Sequence, residues 1–359
     1  MTTLQSTSPR HRSPRIGRRL TALVLGAGAL VAACSDGATS APTTTETPTT
    51  STSTTTSTTS TLAPTTTTIP VPVYPLTGLP RPGDFVDRPA IVVKIDNAPA
   101  ANPQTGFNAA DIVFEEIVND HITRFAMIFH SGGSDPVGPI RSGRLQDIDL
   151  FGMLNKPLFS WSGGNVTVTQ AIDDSDLVNM GPSRVPAYYR DDTRKQPHNL
   201  YSNTTKLWEK ALDGWGLPTQ LFQYRTESDT PAGIVANGVK IDFDSYDAEW
   251  TWNAMSGLYE RKQNGDVHLD KGTNSVITTN NVVILVMDYI VGVSGSPDAQ
   301  SVGTGEAWVF SGGKFVRGTW TRASRTDPFV LTDDTGAPIL LTPGRTFVEL
   351  PRKDSTMPF

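Results

Sequence analysis

Apolar and polar positions divide this chain near residue 73. Beyond it, runs of β-branched and aromatic residues recur at short intervals, bounded by glycine, proline, asparagine and aspartate. Ala90 to Ile95 predicts a buried strand. Asp111 to Val118 and Ile122 to His130 predict two more, joined as a hairpin through Asn119-Asp120. Helical spacing follows over Arg144 to Leu154, Val166 to Ile172 and Thr204 to Leu212, the last capped by Ser202 or Asn203. Thr226 to Asn237 has turn residues and little pattern, and places a boundary there. Past it, Trp250 and Trp252 alternate on one strand, and Leu258 to Lys262 and Asp266 to Leu269 flank Asn264-Gly265, a strong hairpin signal. Asn281 to Ile290 reads as one apolar strand. Ala307 to Phe310 and Lys314 to Arg317 flank Ser311-Gly312-Gly313, and Trp320, Phe329 to Leu331 and Phe347 to Leu350 continue the series. These patterns predict an α+β protein: a mixed α/β domain over 73–236, then a β-rich domain of small-barrel or sandwich type over 237–359.

Before residue 73 the pattern is of another kind. Arg10, Arg12, Arg15, Arg18 and Arg19 precede an apolar run from Leu20 to Ala33, which ends at Cys34, the one cysteine of the chain. A basic head, a short apolar stretch and a small-residue exit describe a secretory signal. With a thiol at the exit, residues 1–33 read as a bacterial lipoprotein signal and Cys34 as the lipidated residue. The alternative is an ordinary signal peptide or anchor helix with an incidental cysteine, but the run falls short of the roughly 20 residues that span a bilayer. Two or more acyl chains anchor firmly, at about 0.8 kcal/mol per buried methylene. Ala38 to Thr68 is almost wholly threonine, serine and proline, so residues 34–72 read as a disordered, extended stalk open to O-glycosylation.

A single cysteine excludes an intrachain disulfide and a four-cysteine zinc site. The formal charge is −6, and loss of the signal with its five arginines takes it to about −11. That balance opposes nucleic-acid binding, so any anion site is a local pocket. There is no GxSxG elbow, P-loop, dinucleotide glycine fingerprint or HExxH, and hence no cofactor or metal assignment.

The sharpest chemical segment is Val137-Gly138-Pro139-Ile140-Arg141-Ser142-Gly143-Arg144. With Ser142 as N-cap, Arg141 and Arg144 sit where a helix dipole disfavours cations. They then either hold a bound anion or pair internally, with Asp147 or Glu115. Arg124 lies among apolar neighbours and calls for a carboxylate partner, which Glu115 or Glu116 on the adjacent strand could supply. Trp161-Ser162-Gly163-Gly164-Asn165 and the Arg190–Tyr201 loop feed the same region. In that loop His198, followed by Asn199, suits either acid–base work or a hydrogen-bonding scaffold, and Arg190 and Arg194 read as a solvated charged loop. Asp96, which ends the first strand, suits a base, a metal ligand or an Asx turn.

These residues carry a resemblance. Pro75-Leu76-Thr77-Gly78-Leu79-Pro80, Ile95-Asp96-Asn97, Pro103-Gln104-Thr105-Gly106, Ala110–Glu115, Ile122-Thr123-Arg124-Phe125, Gly138–Arg144 and Pro197-His198-Asn199-Leu200-Tyr201 resemble the YerB-like bacterial lipoproteins. Later pieces, Tyr259-Glu260-Arg261, Gly318-Thr319-Trp320 and Pro343–Thr346, keep the family order. The resemblance implies a two-part extracytoplasmic domain, lipid-anchored to the membrane, and supplies no catalytic assignment. The candidate ligand set is therefore Arg124, Arg141, Arg144, His198, Asn199 and Asp96, with an anionic cell-envelope ligand as the expected partner. The alternatives are a wall phosphotransferase or hydrolase, and a scaffold that docks another envelope protein.

Overall fold

The computed structural model describes residues 71–119, 122–212, 215–244 and 246–359. The signal, Cys34, the stalk up to residue 70, and Asp120 of the expected first turn lie outside the described residues. The described chain is strand-rich, with few helices and one large sheet.

The first strand, β1 (Ile91–Asp96), is buried along its whole length, as expected for a strand covered on both faces. It pairs antiparallel with β3 (Ile122–Phe129), which pairs antiparallel with β2 (Ile112–Asn119). On its other side β1 runs parallel to β4 (Leu158–Ser160), and β4 runs parallel to β5 (Val178–Asn179). Helix α2 (Val166–Asp174) connects these last two strands, and Asn165 caps it by accepting a 2.9 Å bond from the Val168 amide. Beyond β2 the same sheet continues through Thr346–Leu350, Asn281–Leu285, Gly303–Ser311, Lys314–Arg322 and Val330–Asp333, and Ile234–Val235 pairs with Lys314–Arg322 off this path, for eleven strands in all. Strands from both sides of residue 237 thus share one sheet. A six-stranded sheet, built around Gly238–Asp242, Asp247–Asn253 and Leu258–Gln263, accompanies it.

Alternation along β1, β2 and β3 sends side chains to two cores. Val92, Ile112, Phe114, Ala126 and Ile128 pack with Leu150 and Phe151 of α1 (Gln146–Phe151) and with Val168 and Ile172 of α2. Ile91, Val93, Val113, Phe125 and Met127 pack with Val239, Ile241, Trp250 and Tyr259 of the six-stranded sheet.

Three expectations need correction. The run Asn281 to Ile290 is two strands, Asn281–Leu285 and Tyr289–Val291, because the chain leaves the sheet where the Met287 amide turns to the Pro351 carbonyl. Helix α1 starts at Gln146 rather than Arg144. Ser142 is therefore no N-cap, and the acids Asp147 and Asp149 occupy the first turn that the dipole favours for them. The third helix, α3, is Thr204–Trp208; Asn203 stands at its N-cap without a capping bond, and the Ser202 hydroxyl donates to the Ala187 carbonyl instead.

Candidate functional site

The segment 138–144 is held between the end of β1 and a small hairpin, β6 (Tyr188–Arg190) with β7 (Leu200–Ser202). The Arg141 amide donates to the Lys94 carbonyl at 2.8 Å and the Ile140 amide to the Leu200 carbonyl at 2.6 Å. The Ser162 amide donates to the Arg141 carbonyl at 3.0 Å, which brings in the turn after β4. These bonds fix the backbone that carries Arg141.

Asp96 is buried at the end of β1. Its Oδ1 accepts from the Ala98 amide at 3.0 Å, so the Asx turn is formed. Its Oδ2 contacts two groups: His198 Nδ1 at 2.7 Å and Arg141 Nε at 3.2 Å. Arg124, directly opposite Asp96 in the β1–β3 register, is only 8% exposed. It donates one hydrogen bond, from Nη1 to the Ser142 carbonyl at 2.7 Å, and its Nε has no partner. Burial pushes the Arg124 guanidinium down to about 9, and the neighbouring cations Arg144 and Arg141 push it the same way. Burial lowers Arg144, Asp147 partly offsets this, and Arg141 lowers it further. Its Nη1 donates to the Gly143 carbonyl at 2.9 Å. Three arginines therefore gather here, and among the described residues only Arg141 has a carboxylate within ion-pair distance.

The carboxylates expected to serve these arginines go elsewhere. Glu116 stands opposite Arg124 in register but pairs with the buried Lys94, which also meets Asp147 at 2.9 Å. Glu115 points to the other face of the sheet and meets Arg261 at 2.5 Å. The Asp147 carboxylate accepts from the Arg144 backbone amide at 2.7 Å rather than from its guanidinium.

The remaining candidates separate. Arg141 lines a cleft of about 560 Å³ with Ser142, Ser162, Tyr188, Arg190 and Pro197. Arg144 lines a different cavity of about 240 Å³, shared with Asn165 and Asp298. Asn199 turns into its own loop, where Oδ1 accepts from Arg190 Nη1 at 2.7 Å and Nδ2 donates to the Arg194 carbonyl at 3.2 Å. Arg190 differs from the solvated loop charge its sequence suggests. The β6–β7 hairpin brings it to the cleft, and among the described residues it makes no ion pair. The signal available for it was the alternating Tyr188-Tyr189-Arg190 facing Leu200-Tyr201-Ser202 across a loop.

Fold and cleft together define a class: a strand-rich domain, in two sequence halves that share one sheet, with a cationic cleft in the first half of an acidic chain. Each half has a counterpart. Residues 76–215 match the N-terminal domain, and residues 239–348 the C-terminal domain, of the protein of unknown function DUF3048, and the chain belongs to that family. It is 25% identical over 287 residues to the Bacillus subtilis (strain 168) protein named "Putative lipoprotein YerB", covering 77% of this chain and 85% of that one. The crystal structure of YerB from Bacillus subtilis shares the fold, with a TM-score of 0.71 at 24% identity, covering 80% of this chain and 99% of that one. Among the described residues no helix is long and apolar enough to cross a membrane.

Proposed function

We propose that this chain is a lipid-anchored ectodomain, tethered through Cys34 on the outer face of the cell membrane, that binds an anionic envelope ligand in the cleft of Arg141 and Arg190. The family and the name of its Bacillus relative support the anchor, and the thiol at the signal exit supplies the attachment point. The observation that carries the ligand is Arg124. A guanidinium nine-tenths buried, with one hydrogen bond and, among the described residues, no carboxylate within ion-pair distance, adds its field to Arg141 behind the cleft wall. Arg141 and Arg190 present forks suited to phosphate or carboxylate, with Ser142 and Ser162 hydroxyls beside them. The division of the mixed α/β half (73–236) from the β-rich half (237–359) belongs to this reading, since the family matches end at 215 and resume at 239.

Calorimetry of the ectodomain with phosphate- and carboxylate-bearing wall fragments tests it. The expected result is saturable heat that Arg141→Ala and Arg190→Ala each reduce at least tenfold in affinity. Equal binding by the variants sinks the proposal. A second reading, hydrolysis of a wall phosphodiester, is favoured by the 2.7 Å contact of His198 Nδ1 with buried Asp96, which leaves Nε2 as a general base. Turnover of a chromogenic phosphodiester, lost in His198→Ala, would select it; no turnover would reject it.

A further inference from the structure

β6 is an edge strand, and its free edge is defined by its neighbours. The Leu200 carbonyl is taken by the Ile140 amide, and Ser202 exchanges both its backbone bonds with Val137. Leu200 and Ser202 therefore face away from β6, and Tyr201 faces it. In an antiparallel ladder, the residue opposite Tyr201, which is Tyr189, takes the paired bonds. The Asp191 amide continues this alternation by donating to the Asn199 carbonyl. The backbone N–H and C=O groups of Tyr188 and Arg190 then point outward from the hairpin. Among the described residues no protein group hydrogen-bonds any of these four. All three residues of β6 border the cleft, together with Arg141.

We infer that the free edge of β6 accepts an extended acidic peptide, which adds as a third strand while its carboxylates meet Arg190 and Arg141. The inference rests on the anion-binding reading of the cleft and names the class of ligand. Strand addition takes its affinity from main-chain hydrogen bonds and its selectivity from side chains at the edge. Two residues with outward donors and acceptors suffice for one ladder repeat with a peptide of about four residues. The charge selects the partner. A second copy of this chain is a poor occupant, because antiparallel pairing of β6 with itself sets Arg190 close to its own counterpart. An acidic strand meets both guanidinium groups, and the serine hydroxyls border the same cleft.

The test uses the whole ectodomain and labelled hexapeptides of three kinds: alternating glutamate and valine, the same with lysine for glutamate, and the glutamate form N-methylated on alternate amides, made in both registers. Fluorescence anisotropy should show binding of the first, at least tenfold weaker binding of the second, and at least tenfold weaker binding of the third in one of its two N-methyl registers. Hydrogen exchange at the Tyr188 and Arg190 amides should slow at least tenfold with the first peptide. Unchanged exchange at these amides, or equal binding of both N-methyl registers with the parent, overturns strand addition. If wall phosphates bind in an Arg141-dependent way and no peptide does, the peptide assignment falls and the anion site stands. If neither binds, both fall.

Discussion

Glu349 offers a sharp test of how this fold tolerates charge in its interior. Arg261 is fully buried between the sheets, with rings of Phe125, Phe347 and Trp250 at 5.4, 5.4 and 5.7 Å. Glu115 meets it at 2.5 Å, while Glu349 Oε1 stands 4.0 Å from its Nε and accepts from Trp250 Nε1 at 2.7 Å. The two glutamates are direct neighbours in the parallel pairing of β2 with Thr346–Leu350. One cation serves two acids. Burial, and then the Glu115 carboxylate, raise Glu349 well above the usual carboxyl range, which favours a proton on Glu349.

The consequence for Glu349→Gln has a definite sign. A group whose pKa is raised by folding contributes stability that is present below its unfolded value and is lost as pH rises toward the folded one. An unfolded glutamate titrates at about 4.3. Above that, the parent must take up one proton on folding, which costs ~1.4 kcal/mol per pH unit. An amide at this position carries no such cost, and it retains an acceptor for Trp250 and a donor toward Glu115. Urea unfolding should therefore find parent and Glu349→Gln within about 1 kcal/mol near pH 4.5, with the variant gaining on the parent as pH rises, by up to ~1.4 kcal/mol per pH unit while Glu349 keeps its proton. Glu115→Gln, which takes the nearer of two carboxylates from Arg261, should destabilise the fold at pH 7, by up to about 3–5 kcal/mol. If Glu349→Gln is the more damaging of the two, or if its difference from the parent does not change with pH, the assignment of the proton is wrong.

Other outcomes follow from the same physics. Arg124→Met should unfold within about 1 kcal/mol of the parent or later, because it removes a buried charge that has no carboxylate within ion-pair distance among the described residues, yet it should abolish anion binding; a loss of 3 kcal/mol or more in urea contradicts this. His130 is buried against Tyr74 and Phe85, with neither ring nitrogen bonded, and burial pushes its imidazole down to about 4, helped by Arg88. Its contribution is thus present above about pH 6.5 and is lost as pH falls toward 4, so His130→Phe should recover up to about 3 kcal/mol of acid stability and change little at pH 7.5, as read by melts at both values. Cys34→Ser should move the protein from the membrane to the soluble fraction and abolish incorporation of labelled palmitate; unchanged fractionation removes the lipid anchor.

Local pattern carried much of this fold. Asn264-Gly265 promised a tight hairpin, and both residues adopt left-handed backbone, at φ 54° and 81°. Asn165 promised the start of α2 and caps it. The β-branched runs gave the central strands because alternation alone decides which face is buried. Long-range pairing was not legible. Glu115 finds Arg261, 146 positions away, and a single strand gives no hint that the next glutamate serves Lys94 on the opposite face. Arg190 reached the cleft through a hairpin whose partners lie about ten residues apart, with no apolar stripe to announce it. Arg141 and Arg144 looked alike in sequence, yet the start of α1 at Gln146 sends them to separate cavities.

The contrast among buried arginines bears most directly on function. Arg261 has a carboxylate at 2.5 Å, an imidazole nitrogen at 2.6 Å and three aromatic rings. Arg322 has no carboxylate in ion-pair reach among the described residues, but it makes five hydrogen bonds, to Ser301 and to the carbonyls of Asp149, Ser301, Arg325 and Asp327. This chain therefore supplies acceptors to a buried guanidinium when the position is structural. Arg124 is buried to nearly the same degree and has one carbonyl, while the glutamate opposite it is committed to Lys94. Desolvating a guanidinium without acceptors costs several kcal/mol, and a well-packed methionine would avoid that cost. Arg124 stands there at a cost to stability, beside Arg141 and next to an open cleft. That combination is what an anion in the cleft would balance, and it is why the arginine cluster, rather than the His198–Asp96 contact alone, carries the functional reading.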